Sequence, residues 1–155
     1  MKFSTREDIE APIEYVFSQV SDFPGLERSA LRRGAEVQRV DDIDGTGPGM
    51  IWDTAFELRG KRRKAQIELV EIDPPHTMRF VSRATSIHGE MSVDLVAMSR
   101  GRTRLTLEGE LTPQTLAARL IMQSLKLAKS SVTKRFEVRV ASFASELEDR
   151  YARRG

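Results

Sequence analysis

Residues 103–122, TRLTLEGELTPQTLAARLIM, contain the change of pattern that decides the fold. From Thr103 to Leu111 every second residue is polar or charged, which is the two-residue period of a β-strand. Thr112 and Pro113 interrupt this alternation, and apolar residues then recur every three or four positions. The stretch therefore predicts a strand that leads directly into a helix.

The predicted helix runs from Gln114 to about Arg150, and its 37 positions would span roughly 55 Å at about 1.5 Å per residue. Because this length exceeds what a small domain needs, we expect either a kink, near Ser130 and Ser131, or a frayed end. One face of the helix is apolar. Its members are Ala118, Ile121, Met122, Leu125, Val132, Phe136, Val140, Phe143 and Leu147.

The chain upstream begins with a weakly alternating strand, Lys2 to Ile9. Pro at a first helical turn then predicts a helix over 12–21. The segment 22–25, with its proline and glycine, is expected to break that helix, and a second short helix over 26–33 is expected to end at Gly34.

Five further strands precede the strand at 103–111, and turn residues separate them. They are expected at 35–40, at 50–58, around 65–69 and up to Asp73, at 77–86 and at 87–98. The order of elements predicts an α+β fold with a curved, seven-stranded antiparallel sheet. Two short helices follow the first strand, and the sheet is expected to wrap around the long C-terminal helix.

Composition limits the kind of protein. With 155 residues, 39% hydrophobic and 31% charged, the chain is expected to form a single soluble domain over 1–155. It has no cysteine and only two histidines, which excludes disulfides and a histidine-rich metal site, and no cofactor is expected. The net charge of +2 does not indicate nucleic-acid binding. Without a signal sequence or a run of about 20 apolar residues, we expect a cytoplasmic protein without stable membrane insertion.

Five local motifs occur in a familiar order along nearly the whole chain. They are Ala11-Pro-Ile-Glu-Tyr-Val-Phe17, Asp22-Phe-Pro24, the glycine loop Gly45-Thr-Gly-Pro-Gly49 with Trp52 beyond it, Val70-Glu-Ile-Asp-Pro-Pro75, and Gly101-Arg-Thr-Arg-Leu105. In this order they resemble the SRPBCC superfamily, which contains START domains, birch-pollen-allergen-like proteins and bacterial polyketide cyclase/dehydrase and lipid-transport proteins. The resemblance implies a helix-grip fold with a hydrophobic cavity between the sheet and the long helix.

Three functions are compatible with this resemblance, because fold alone does not define function. The first is the binding of a hydrophobic small molecule, lipid-like or polycyclic, in the cavity. The second is a cyclase, dehydratase or hydrolase-like enzyme that acts in the same cavity, for which no catalytic residues can be assigned. The third is a partner-binding protein without a ligand, which would require a filled core.

Twelve residues on inward-facing positions are predicted to contact the ligand, although each would equally suit a packed core. They are Trp52, Thr54, Phe56, Ile67, Met78, Phe80, Ser82, Met91, Leu125, Lys129, Val132 and Phe136. Trp52 is the strongest candidate for a cavity wall, because its indole N–H needs a hydrogen-bond partner. Small inward residues are expected to leave room for the ligand. These are Ala65, Ser82, Ala84, Gly89 and Gly109.

Lys129 is unusual because its helical angle places it within the apolar stripe. Either its stem lies on apolar neighbours while the ammonium reaches solvent, or the ammonium binds a carboxylate or enolate oxygen at the cavity mouth. His88, Glu90 and Asp94 alternate with the inward residues, so we expect them to face solvent.

Two other surface features have open interpretations. The basic run from Arg59 to Lys64 lies at a hairpin tip, where it is either solvated or a contact for phosphate or an anionic membrane. Leu116, Leu120 and Leu127 form a second apolar line on the long helix. This line indicates a flexible lid, a homodimer contact or a surface that collects ligand from a membrane.

Overall fold

A computed structural model describes residues 1–58 and 60–154. Its elements are β1 (Lys2–Ile9), α1 (Ile13–Val20), α2 (Phe23–Arg32), β2 (Glu36–Arg39), β3 (Ile51–Leu58), β4 (Lys61–Asp73), β5 (Thr77–Arg83), β6 (Ile87–Ser99), β7 (Arg102–Pro113), α3 (Leu116–Leu127) and α4 (Lys129–Arg153). This order confirms the predicted succession of a strand, two short helices, six strands and a helical C-terminal segment.

The strands form one seven-stranded antiparallel sheet in the order β1-β7-β6-β5-β4-β3-β2. Consecutive strands from β2 to β7 pair as hairpins, and β1 returns to pair with β7. The curved sheet, the helices after β1 and the C-terminal helix together make the helix-grip fold. The predicted α+β class is therefore confirmed.

The core lies between one face of the sheet and the helices α1, α2 and α4. Ile9 and Leu69 on the strands, Val16 on α1 and Leu147 on α4 are completely buried. Phe23 at the start of α2 packs between two aromatic rings of the sheet, those of Trp52 and Phe80. This face is called the inward face below.

The C-terminal helical segment is interrupted at Ala128, which ends α3 and precedes α4 with non-helical backbone angles of φ −101° and ψ 17°. The predicted kink is therefore present, two residues before the expected position. Only the second half of α4 is buried, through Val140, Ala144 and Leu147. In the described ranges, no helix combines the length and the hydropathy that crossing a bilayer requires.

The first helix ends before the segment 22–25, as predicted, but α2 begins at Phe23 rather than at Leu26, because this segment forms the N-cap and first turn of α2. Asp22 is the N-cap, and its Oδ1 accepts a hydrogen bond of 3.2 Å from the Gly25 amide. A Cβ at Gly25 would lie almost on the Asp22 carboxylate, so glycine permits this cap. Pro24 fits the first turn because its missing N–H would have no partner there.

The glycine loop before β3 is held by a single ion pair. Arg39 and Asp41 form two hydrogen bonds of 2.8 and 3.0 Å, and the carboxylate also accepts the backbone amides of Ile43 and Ile51. The Arg39 guanidinium donates in turn to the carbonyls of Ile43 and Gly45. The guanidinium and the two amides hold the pKa of Asp41 well below its usual range.

Gly109 allows the ring of Phe3 to lie against the sheet. The two residues are paired between β1 and β7, and a Cβ at Gly109 would lie 2.5 Å from the Phe3 ring. The Phe3 ring contacts Phe136 of α4 edge-on, with 5.3 Å between centroids. At Gly89, neighbouring Leu111 occupies the space in the same way. Neighbouring side chains therefore occupy part of the space beside both glycines.

We predict that Gly109→Ala destabilises the fold by about 1–3 kcal/mol, because the new methyl group displaces the Phe3 ring from its contact with Phe136. Urea unfolding followed by the emission of the single Trp52 measures the change. The matched control is Gly101→Ala, since a Cβ at Gly101 meets nothing within 4 Å. Equal stability of the two variants would contradict the packing role of Gly109.

We also predict that Asp41→Asn lowers the free energy of unfolding at neutral pH. Because the folded state holds the Asp41 pKa below its unfolded value, this carboxylate stabilises the fold above the usual aspartate range, and the contribution disappears as pH falls. The difference between wild type and variant should therefore shrink between pH 7 and pH 3. Urea unfolding at both values tests this, and a difference that is constant with pH would refute it.

Candidate functional site

The inward face of the sheet is incompletely covered. Met91 lies in one row of paired residues with Phe80 and the completely buried Leu69, yet its own side chain is 43% exposed. Phe56 lies two positions from Thr54 and four from the buried Trp52, on the same face, and is 39% exposed. The apolar surface that forms the core at one end thus continues as open surface at the other.

A cleft of about 720 Å³ lies where the sheet approaches the first turns of α4. Phe3, Phe80, Met91 and Gly109 line it as one continuous row across β1, β7, β6 and β5. The other lining residues are their strand neighbours, Val70, and two residues of α4, Lys129 and Thr133. The cleft therefore has an apolar row across its centre and polar groups around it.

Lys129 is exposed, and it lines the cleft from the first residue of α4. The expectation that it belongs to the buried stripe is wrong. Within α4, Lys129 has the same rotational phase as Phe136, Val140 and Leu147, but its end of the helix is uncovered, because the buried residues of α4 begin at Val140. Its placement at a solvent-exposed edge of the cleft is compatible with both roles considered for its ammonium group.

Arg63 is a second cation on the inward face. It is paired with Phe56 between β4 and β3, and it alternates with Ala65 and Ile67. Its side chain is half-buried, and within the described part of the chain its Nε atom is buried without a hydrogen-bond partner. Leaving such a donor unsatisfied costs about 1–3 kcal/mol, so a group that accepts this hydrogen bond would be favoured here.

The adjacent Arg62 points to the opposite face and forms an ion pair with Glu36 of β2. The basic run is therefore not a uniformly solvated tip, because strand alternation sends its two consecutive arginines to different faces. Arg59, which begins the run, lies outside the described residues.

Trp52 is buried, and its indole has a partner within the protein. The Nε1 atom donates a hydrogen bond of 2.7 Å to Glu27 of α2, and the ring packs on Phe23. Trp52 is not among the residues that line the cleft, whereas Phe80, Met91 and Lys129 are. The structure thus brings three of the twelve predicted contact residues to the cleft.

The remaining predicted residues are distributed over the core and its edges. Met78 is buried, and Ile67 and Phe136 are partly buried against the core. The Thr54 hydroxyl donates to the Ala65 carbonyl at 2.8 Å, as hydroxyls on strands commonly do. The others are half-buried, namely Ser82 on β5, Leu125 on α3 and Val132 on α4.

The three polar residues expected on the outer face have partners there. His88 lies 3.8 Å from the Glu90 carboxylate, and Asp94 accepts a hydrogen bond from the Thr77 hydroxyl. Among the residues that the structure describes, no group of three or more histidine or acidic side chains is arranged to hold a metal ion.

Two further depressions are more polar. One, of about 490 Å³ between α2 and α4, contains five arginines, Arg28, Arg32, Arg33, Arg139 and Arg150. The other, of about 900 Å³ along β2 to β5, contains ion-paired residues such as Glu36, Arg62 and Arg83. Neither has an apolar row comparable to that of the 720 Å³ cleft, so that cleft is the better candidate for a hydrophobic ligand.

Three residues of the cleft and the adjoining inward face, Phe3, Thr133 and Arg63, were not among those predicted from the sequence. Phe3 lies on a strand whose alternation is weak, and only its register against Gly109 shows that it belongs to the cleft. Thr133 is polar and outside the apolar stripe, so nothing in the pattern indicated it. Arg63 could have been found, because it alternates with Ala65, Ile67 and Leu69 along one strand.

Three solved structures illustrate the similarity of fold. Zhui aromatase/cyclase from Streptomyces sp. R1128 is 15% identical, with a TM-score of 0.68 over 97% of this chain and 95% of that one. A norcoclaurine synthase from Thalictrum flavum is 14% identical, with a TM-score of 0.68 over 98% and 96%. A START superfamily protein from Mycobacterium smegmatis is 13% identical, with a TM-score of 0.59 over 86% and 95%.

At these identities the structures show a common fold, and no curated protein sequence gives a significant match. The sequence itself is more informative at the level of the family. It matches the family described as polyketide cyclase/dehydrase and lipid transport over residues 1–148, and the chain therefore belongs to that family.

Proposed function

We propose that this protein binds a hydrophobic small molecule, lipid-like or polycyclic, in the cleft between the sheet and the first turns of α4. The observation that carries the proposal is the exposure of Met91 in the same row as the completely buried Leu69. Membership of the family and the helix-grip fold support the same function.

The size and lining of the cleft suit such a ligand. Its volume of about 720 Å³ falls within the range of about 300–1,000 Å³ that small-molecule sites occupy. Covering the exposed surface of Met91 and its neighbours would contribute about 25 cal/mol for each Å² of apolar area removed from water. A long acyl chain or a flat ring system can cover a row of four residues along its length.

A few polar groups would orient the ligand. Lys129 lies at the rim of the cleft. Arg63 is not among the residues that line the cleft, but it lies on the same inward face of the sheet with an unsatisfied Nε donor in the described structure, where a ligand that extends along this face would reach it. A carboxylate, phenolate or enolate oxygen would satisfy either cation. The ligand proposed is therefore apolar over most of its length and carries an acidic group.

The alternative is a cyclase or dehydratase-like enzyme that uses the same cleft. Arg63 is the observation that favours it, since a preorganised, partly buried guanidinium stabilises an enolate oxygen as its charge develops. Under this alternative the ligand is a substrate, and Arg63→Met would abolish turnover of a bound polyketide analogue. Under the binding proposal the protein does not convert its ligand, so neither the wild type nor an Arg63 variant forms a chemical product.

The binding proposal predicts that Met91→Gln weakens an apolar ligand roughly tenfold, which corresponds to about 1.4 kcal/mol. The amide removes apolar contact surface from the centre of the row and must be desolvated when the ligand binds. Titration calorimetry with oleate as a lipid-like probe and 1-pyrenebutyrate as a polycyclic probe measures the affinity. Native mass spectrometry of protein purified from cells shows whether an apolar molecule copurifies.

The matched control is Val96→Gln, which lies on the same strand but on the opposite face and is 55% exposed. This variant should bind both probes like wild type. Equal losses in the two variants, or no measurable binding of either probe to wild type, would argue against a ligand site in the cleft.

The role of the cations predicts a difference between charged and neutral ligands. Arg63→Met should weaken oleate by about 1.5–3 kcal/mol, the range for a hydrogen bond to a charged group, while oleyl alcohol binds nearly as before. Lys129→Met should follow the same pattern with a smaller loss, about 0.2–1 kcal/mol, because Lys129 is exposed.

Arg62→Met and Lys126→Met serve as controls, since they remove the same charge from the outer face of the sheet and from α3. If Arg63→Met weakens the acid and the alcohol equally, Arg63 does not recognise the acidic group. If Arg62→Met weakens oleate binding as strongly as Arg63→Met does, the effect is one of net charge, and Arg63 has no specific role in recognising the carboxylate.

A further inference from the structure

Helix α3 exposes three leucines to solvent. Leu116 is 73% exposed, Leu120 60% and Leu127 91%. On the opposite side of the same helix, Ala118 and Met122 are buried against the rest of the protein. The outward leucines are therefore not needed for the packing of α3.

The three leucines form one narrow stripe. At about 100° per residue, positions 116, 120 and 127 fall within an arc of about 40°. Arg119 and Lys126 lie about 80–100° from the centre of this arc, both on the same side. An apolar stripe bordered by cations is typical of a helix that lies in the interface of a membrane.

The surrounding chain is entirely free of acidic residues. From Leu111 to Phe136 there is no Asp or Glu in 26 residues, although the chain as a whole has nearly as many acids as bases. The same segment contains five cations, namely Arg119, Lys126, Lys129, Lys134 and Arg135. Its charge is complementary to a negatively charged surface.

We propose that the leucine stripe of α3 docks onto the surface of a bilayer that contains anionic lipids. The leucines would enter the boundary between head groups and acyl chains, and the flanking cations would lie near the lipid phosphates. This proposal does not rest on ligand binding in the cleft, because it uses only the exposed side of α3 and the charge of the segment.

A second copy of this chain fits the stripe less well. In a symmetric contact the same patch faces itself, so Arg119 and Lys126 of one copy would approach those of the other. The segment has no carboxylate to neutralise them. Such repulsion opposes a dimer through α3, whereas anionic lipids supply the missing negative charge.

The test is flotation of the protein, residues 1–155, with liposomes at 50 mM salt. Liposomes of phosphatidylcholine with 30% phosphatidylglycerol should bind the wild type, and those of phosphatidylcholine alone should bind it far less. Raising the salt to 500 mM should release the protein, since exposed charges are then screened. Leu116→Gln, Leu120→Gln and Leu127→Gln combined should weaken binding at least tenfold.

Two matched controls distinguish binding through this stripe from nonspecific hydrophobic adsorption and from an effect of net charge. Leu31→Gln, Val96→Gln and Val138→Gln remove three exposed apolar residues elsewhere and should bind like wild type. Arg119→Gln with Lys126→Gln should weaken binding about fivefold for each charge removed. Arg6→Gln with Arg100→Gln removes the same charge from β1 and from the turn between β6 and β7, and should have little effect.

Three results would overturn the proposal. The first is a wild type that does not float with anionic liposomes, and the second is an equal loss in the control variants. The third is sedimentation data in which the wild type is a dimer and the triple glutamine variant of α3 a monomer. Circular dichroism and Trp52 emission confirm that each variant is folded. If the wild type floats with anionic liposomes but does not bind oleate, the result contradicts only the ligand proposed for the cleft.

Discussion

The contact of the Phe3 ring with Gly109 is the constraint on which the position of the C-terminal helix depends. Because Gly109 has no side chain, the ring lies against β7 and presents its surface to Phe136 of α4. This contact, together with the hydrogen bond from the Glu10 amide to Glu148, aligns α4 with β1. A helix along that edge strand leaves Met91, two strands away, without a cover.

The interruption at Ala128 divides the C-terminal segment into two helices that pack differently. The second half of α4 completes the core through Val140, Ala144 and Leu147. Helix α3 packs with only one side and exposes its leucines on the other. The break at Ala128 separates these two helices, and Lys129, the first residue of α4, borders the cleft.

Arginine side chains take contrasting roles according to the face on which they lie. Arg104 pairs with Asp8, and the guanidinium holds the pKa of that carboxyl below its usual range. Arg62 pairs with Glu36 in the same way on the outer face. Arg63, one residue further, faces inward, where its Nε is buried without a partner in the described structure. Under the proposed function, this guanidinium would recognise the acidic group of the ligand.

The sequence by itself determined the order of the elements, the seven antiparallel strands and the class of fold, because periods of two and of about 3.6 residues are local properties. It also determined that Phe80 and Met91 face inward and that Leu116, Leu120 and Leu127 are apolar residues outside the core stripe. Only the tertiary structure decided which inward residues remain uncovered. Trp52 found its partner in Glu27, 25 residues away. The space at Gly109 was taken by Phe3 from the far end of the chain. Such contacts depend on strand register and helix phase, which nearby residues do not encode.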